Sequence, residues 1–124
     1  MLRVVDGDTI EVDLGGSEED VRYIGIDTPE VGERAECYGR EAREANRRLL
    51  APRVRLEYDV ERRDRYGRLL AYVHARDGMV NARLARDGYA EPLTVRPNTR
   101  HEERIRAHAD AARAAGRGLW SACR

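Results

Sequence analysis

Polar and apolar positions alternate along the start of the chain and switch to a helical rhythm further on. Ile10, Val12 and Leu14 interleave with Thr9, Glu11 and Asp13, the period-two signature of a half-buried strand. Val4 and Val5 precede it across an Asp6-Gly7 turn pair, and Gly15-Gly16 turns the chain toward a third strand from Val21 to Ile26, which Pro29 stops. These segments predict an antiparallel meander. Residues 31–37 carry no period and read as a polar loop. From Tyr38 the spacing changes: Tyr38, Ala42, Ala45 and Leu49 recur at four, three and four, one face of a helix that Pro52 ends.

Val54, Leu56, Tyr58 and Val60 then alternate with Arg53, Arg55, Glu57 and Asp59, the cleanest strand in the sequence. A charged turn over 61–65 leads through Tyr66-Gly67-Arg68 into another apolar strand ending near His74, and Asp77-Gly78 turns the chain again. Val80 and Leu84 share a face of a short helix that Gly88 caps in the left-handed conformation. Pro92 and Pro97 bracket an irregular segment. Thr99-x-x-Glu102 reads as a capping box opening a last helix with Ile105, Ala109 and Ala112 inward; Gly116 and Gly118 end it, and Leu119-Trp120 follows as an apolar plug. Strands first, one helix inserted after the third and two helices late give an α+β order. A small closed OB-type barrel of five strands with three helices accommodates it, within a single domain over 1–124.

Composition narrows the function without naming it. Hydrophobic residues are 41% and charged residues 37% of the 124, and no apolar run approaches membrane-spanning length. All 23 basic residues are arginine, balanced by 23 Asp plus Glu. A net charge of zero argues against gripping nucleic acid by a bulk basic field, so any polyanion must be held locally, by guanidinium forks suited to phosphate. Cys37 and Cys123 match no zinc spacing. They are either two buried thiols or one disulfide closing a long loop; a terminal tail that needs anchoring favours the disulfide, and with it an oxidising compartment. Met1 runs directly into Leu-Arg-Val-Val with no signal peptide, so the chain reads as cytosolic, a mature form or a trimmed piece.

The chemistry concentrates in two segments. Asp6-Gly-Asp-Thr9 and Arg22-Tyr-Ile-Gly-Ile-Asp-Thr-Pro-Glu30 stand at the ends of adjacent strands, and together Asp6, Asp8 and Asp27 offer hard oxygen donors for calcium or magnesium. Singly, each aspartate is an ordinary turn residue. Arg22 and Arg68 are candidate phosphate clamps and Glu30 a candidate general base. Strict alternation puts Arg22 and Asp27 on opposite faces, so a bulge or strand end near Gly25 is expected to correct the phase. His74, His101 and His108 lack a partner motif and read as structural.

Val5-Asp-Gly-Asp-Thr-Ile10, Arg22-x-x-x-x-Asp27-Thr-Pro-Glu30, Asp64-Arg-Tyr-Gly-Arg68 and Gly118-Leu-Trp-Ser121 together resemble the staphylococcal nuclease-like (thermonuclease) family, in order and over nearly the whole chain. The resemblance implies an OB-fold, calcium-dependent phosphodiesterase that acts as a monomer on single-stranded or melted DNA and RNA and leaves 3′-phosphates, with no membrane partner. It implies calcium (Ca2+) held by the Asp8 and Asp27 carboxylates and the Thr28 carbonyl, with Asp6 close by. Glu30 would be the base on the attacking water, Arg22 and Arg68 the phosphate ligands, and Tyr66 and Arg65 neighbours of the nucleotide. The loop after Glu30 is shorter than in the staphylococcal enzyme, and Leu93, Thr94 and Val95 stand where that enzyme has nucleotide-flanking tyrosines, which implies weaker nucleotide affinity. The cysteine pair is similar to that of extracytoplasmic bacterial relatives, implying the Cys37–Cys123 disulfide and a secreted or otherwise extracytoplasmic protein. The competing readings are a non-catalytic nucleic-acid-binding module of the same fold and an OB domain for another ligand such as an oligosaccharide; the presence of Asp8, Asp27, Glu30, Arg22 and Arg68 together favours the enzyme.

Overall fold

The computed structural model describes residues 1–123. Strands β1 (Arg3–Asp6), β2 (Thr9–Leu14) and β3 (Ser17–Tyr23) form the expected antiparallel meander, with a register shift between Val4 and Asp6. The third strand is shorter than the apolar pattern predicts. It stops at Tyr23, Gly25 takes φ 89°, and Ile26–Asp27 forms a separate strand β4. Glycine accepts that angle without the steric cost a side chain would meet. The break expected near Gly25 is therefore present.

Helix α1 (Gly39–Leu49) buries Ala42 and Ala45 as the periodicity requires, but Tyr38 stays outside it with φ 74° and stacks on Tyr89 at 5.6 Å. The segment with the cleanest alternation, 54–60, keeps only Arg55–Glu57 as strand β5. Its continuation turns away because Asp59 and Glu61 make loop contacts instead of ladder bonds: Tyr72 Oη and Arg100 N donate to Asp59 Oδ2, and Glu61 N donates to Asn98 Oδ1. Strand β6 (Leu69–Ala75) is central, antiparallel to β5 and parallel to β3. Period-two reasoning identifies such a strand but cannot supply its parallel neighbour.

A hairpin to β7 (Gly78–Met79) leads into α2 (Val80–Arg86), which Gly88 ends at φ 84°. Strand β8 (Glu91–Pro92) pairs with β4 in a two-stranded ribbon. Helix α3 (Glu102–Ala115) buries Ile105, Ala109 and Ala112 and ends at Gly116 in the left-handed conformation. The capping box does not form. His101 occupies the N-cap without a side-chain cap bond, and Glu102 Oε1 instead accepts from Thr94 Oγ1 and Arg106 Nε. The apolar plug is a one-turn helix, α4 (Leu119–Ala122), with Leu119 buried.

The main sheet runs β1-β2-β3-β6-β5 with β7 on β6, so it has six strands where five were expected. No pairing joins β1 to β5 among the described residues, and the OB-type α+β sheet is open rather than closed. Ile10, Val21, Tyr23, Ile26, Val73, Leu84 and Ile105 fill the space between its concave face and the helices. Leu14, counted inward by alternation, lies at the hairpin end and is exposed. No helix among the described residues is long and apolar enough to cross a membrane.

Candidate active site

Two backbone features, the β1–β2 turn and the break at Gly25, bring the two chemical segments together. The β1–β2 turn delivers Asp8, whose carbonyl accepts from Tyr23 N at 2.9 Å and whose Oδ2 accepts from Thr28 N at 2.9 Å. The break at Gly25 lets the chain after β3 fold back, so that Arg22 Nη1 donates to both Tyr23 O at 2.7 Å and Ile26 O at 2.9 Å. Arg22 Nη2 then lies 3.3 Å from Asp8 Oδ2 and 3.7 Å from Asp27 Oδ1. The phase problem between Arg22 and Asp27 is thus resolved by the strand end. Asp8 is buried, Asp27 is open to solvent, and the guanidinium bridges them.

Gly7 is needed here for space and not for its backbone angle. A Cβ on it would lie 2.6 Å from Thr28 Oγ1 and 2.9 Å from Ala42 Cβ. Thr28 is pressed against the β1–β2 turn, and its buried Oγ1 has no hydrogen-bond partner among the described residues. Asp6 lies beneath, its Oδ1 accepting from Asp8 N at 3.0 Å. Burial and the neighbouring Asp8 carboxylate push its carboxyl up to about 7. Asp27 is raised too, by burial and Asp8 and against the pull of Arg22, and Glu30 adds to the repulsion at both. The corner carries more negative charge than its single guanidinium balances.

Asn46 holds the floor. It accepts from Tyr23 Oη at 2.6 Å and donates to Asp6 O at 3.0 Å, fixing β1 and β3 against α1 from a fully buried position. Sequence reasoning passed over it. The signal was a polar residue one step along from Ala45 on the apolar face of a helix, where only a satisfied amide is tolerated. Asn81 does the same on α2, donating to Ile24 O and accepting from Val73 N.

Arg68 sits across the surface on a tight turn built by Asp64. Asp64 Oδ1 accepts from Tyr66 N and Arg68 N, and Asp64 Oδ2 accepts from Arg68 Nε at 2.8 Å. Gly67, at φ 83°, makes the turn possible. The Arg65 and Arg68 guanidinium carbons lie 5.0 and 5.6 Å from the Tyr66 ring centroid, and that ring is exposed. Arg22, Arg65, Tyr66 and Arg68 line one groove of about 600 Å³, with Leu93 and Val95 on its far wall. Glu30 does not line the groove; it stands on the exposed segment that follows Pro29, where Glu30 N donates to Glu36 Oε1 at 2.8 Å and Glu36 N donates back to Glu30 O at 2.9 Å. Among the described residues no three His, Cys, Asp or Glu side chains converge as a metal cluster. Asp8 and Asp27, bridged by Arg22, are two carboxylates, one acidic side chain fewer than such a cluster needs.

Cys37 and Cys123 form a disulfide that ties the loop after Glu30 to the end of α4. His74 and His101 both direct Nε2 at Glu57, at 2.8 Å and 3.0 Å, and His101 packs edge-on against Tyr72.

Residues 20–122 match the family model described as staphylococcal nuclease homologue. The chain is 42% identical over 125 residues to the thermonuclease of Staphylococcus hyicus, covering 98% of this chain and 74% of that protein. It is 46% identical over 103 residues to the thermonuclease of Staphylococcus intermedius, with 80% and 61% covered, and 38% identical over 125 residues to endonuclease YncB of Bacillus subtilis (strain 168), with 96% and 59% covered. The chain therefore spans three-quarters of the first relative's length and less than two thirds of the other two. A family match over most of the chain, joined to an OB-type fold that gathers Asp8, Arg22 and Asp27 at one corner, places this protein in the staphylococcal nuclease homologue family.

Proposed function

We propose that this chain is a calcium-dependent nuclease that hydrolyses phosphodiester bonds of single-stranded or melted DNA and RNA and leaves 3′-phosphates. The observation that carries the reading is the Arg22 guanidinium, held by two backbone carbonyls between Asp8 and Asp27 and sharing a groove with Arg68. The names of the relatives, thermonuclease and endonuclease, support the class of reaction.

The corner fits a hard cation. Its donors are oxygens, its carboxylates repel one another, and Thr28 Oγ1 is buried without a partner. Asp8 and Asp27 would hold calcium with the Thr28 carbonyl, Asp6 lying close behind; the ion, when bound, offsets negative charge on the phosphate and orients the attacking water. The chain's own residues do the rest. Arg22 and Arg68 bind the phosphate and favour the charge that builds on its oxygens in the transition state, a stabilisation largest where the donors are fixed in advance. Arg22 is fixed by its carbonyls and Arg68 by Asp64. Glu30 takes the proton of the water that attacks phosphorus, the bond from phosphorus to the 5′ oxygen breaks, and the departing 5′ oxygen takes a proton from solvent, leaving the phosphate on the 3′ oxygen. Tyr66 and Arg65 present a stacking face and a cation to the nucleotide. The disulfide supports a secreted or otherwise extracytoplasmic protein, proposed to act as a monomer.

The decisive experiment is digestion of single-stranded DNA and of RNA with calcium or with chelator, with end-group mapping of the products. Cleavage that needs calcium and leaves 3′-phosphate ends supports the reading. Folded protein that binds oligonucleotide without cleaving it would establish a non-catalytic binding module instead.

A further inference from the structure

We infer that Glu36 is a positioning residue for Glu30, and that the Cys37–Cys123 disulfide and α4 form the bracket through which it acts, so that cleavage depends on the oxidised state of the pair. The inference rests on the reading of Glu30 as the base. Glu30 lies outside any helix or strand, just before a single 3-10 turn at Gly32–Arg34, where a side chain that must meet a water within hydrogen-bonding distance needs its backbone fixed. Three contacts fix it. Glu30 N donates to Glu36 Oε1 at 2.8 Å, and Glu30 O accepts from Glu36 N at 2.9 Å. The third is Gly39, so close that a Cβ there would lie 2.1 Å from Glu30 O, which leaves the peptide no room to drop toward α1.

Exposed hydrogen bonds compete with water and contribute little alone. Glu36 is next to Cys37, and the disulfide carries that residue to Cys123 at the end of α4. Helix α4 has a rigid dock. Leu119 N donates to Gly88 O at 2.8 Å, and a Cβ on Gly118 would lie 2.3 Å from the same carbonyl, while one on Gly88 would lie 2.4 Å from Arg117 O. The chain of support therefore runs from the cap of α2 through α4 and the disulfide to Glu36 and so to Glu30. The same arrangement walls a cleft of about 290 Å³ in which Glu36, Trp120 and the disulfide face Asp27 and Thr28. A dithiol reductant would transfer two electrons and two protons to the pair, breaking the S–S bond into two thiols and itself becoming a disulfide. Glu36 would then lose its tie to α4 and be held only from its own side, by its bonds to Glu30 and by Gly39 N, which donates to its carbonyl at 3.0 Å.

The test measures kcat and KM on a defined oligonucleotide for oxidised wild type, Glu36→Ala and Glu36→Gln, and for wild type and Glu36→Ala after dithiothreitol, at a temperature where circular dichroism shows the reduced protein folded. Glu36→Ala should lower kcat about 10- to 100-fold, the scale of a misplaced catalytic group, and leave KM within about twofold, as expected when only the transition state is affected. Glu36→Gln keeps an oxygen that accepts from Glu30 N and should stay near wild type. Reduced wild type should fall to the level of Glu36→Ala, and reduction should add little to that variant because both changes break one contact chain. Amide exchange at Glu30 should quicken in Glu36→Ala and in reduced wild type, a readout independent of cleavage. Wild-type kcat in Glu36→Ala, equal damage in Glu36→Gln, or full activity with slow Glu30 exchange in the reduced protein would each overturn the inference. Oxidised wild type that cleaves nothing would defeat the nuclease reading instead, and Glu30 exchange would then decide the bracket by itself.

Discussion

In the proposed mechanism Arg22 and Arg68 share one role at the phosphate, but they are embedded differently, and that difference separates their mutants. The Arg22 side chain is 15% exposed and faces Asp8, itself 7% exposed, whereas Arg68 is 33% exposed, pairs with Asp64 and lies over the exposed Tyr66 ring. Replacing either with alanine should lower kcat by about 10²–10³, the usual cost of one fixed donor to a developing oxyanion. Stability should diverge. Arg22→Ala leaves a buried carboxylate unpaired and should cost about 3–5 kcal/mol, while Arg68→Ala should stay within about 1 kcal/mol. Urea midpoints measured beside kcat check both, and equal midpoints would contradict the burial argument. Gly7→Ala is the complementary case at the turn. Its Cβ has nowhere to go but into Thr28 and Ala42, so it should cost about 1–3 kcal/mol, as overpacking does, and displace Thr28, seen as a lowered melting temperature together with weaker calcium-dependent activity. The charged members of the site could be read from residue type and spacing. Asn46 was legible only as a polar residue on an apolar helix face, while Gly7's steric role and the contact proposed for Glu36 were not, because each depends on a neighbour distant in sequence or across a turn.

Elements were legible where a single face decides burial and illegible where loop contacts compete. The helices at Ala42/Ala45, Val80/Leu84 and Ile105/Ala109/Ala112 follow their apolar spacing. The 54–60 segment alternates well yet pairs over three residues, since Glu57, Asp59 and Glu61 are recruited as acceptors, or through backbone N–H, by residues near the start of α3 and in the loop before it. Glu57 is the centre of that seam. Partial burial works to raise its carboxyl, but hydrogen bonds from His74, His101 and Arg100 outweigh burial and hold it down at about 2, from an ordinary 4.5. A carboxylate depressed in the folded state stabilises fully above its unfolded value and loses that contribution as pH falls through the folded one. The stability gap between wild type and Glu57→Gln should therefore be at full size at about pH 5, where Glu57 is ionised in both states, and shrink between about 4.5 and 2, measured by urea midpoints across that range. A gap unchanged at pH 2 would mean that Glu57 acts by shape and not by charge.

At the scale of the molecule, the order of strands and helices was enough to anticipate an OB-type domain, because each element's burial pattern agrees with that fold. The parallel β3–β6 pairing and the open β1 and β5 edges were not, since both depend on how distant segments meet. The cysteine pair is the one long-range contact that residue type alone brought into consideration. It spans 86 residues, from the loop behind Glu30 to the last helix. Closing a loop of that length removes chain entropy from the unfolded state worth about 4–5 kcal/mol in the polymer model. Cys123→Ser should therefore lower stability by about that amount. The loss should fall mainly on α4, whose remaining anchors are Leu119 and the Gly88–Gly118 contact, and only secondarily on the Asp8–Arg22–Asp27 corner, which is held by β1–β3 and Asn46. Native-state amide exchange of Cys123→Ser tests the partition: faster exchange at Ala122 and Cys123's replacement with slow exchange retained at Tyr23 and Thr28 supports it. Loss of protection at Tyr23 and Thr28 in step with α4 would show instead that the disulfide holds the sheet as a whole.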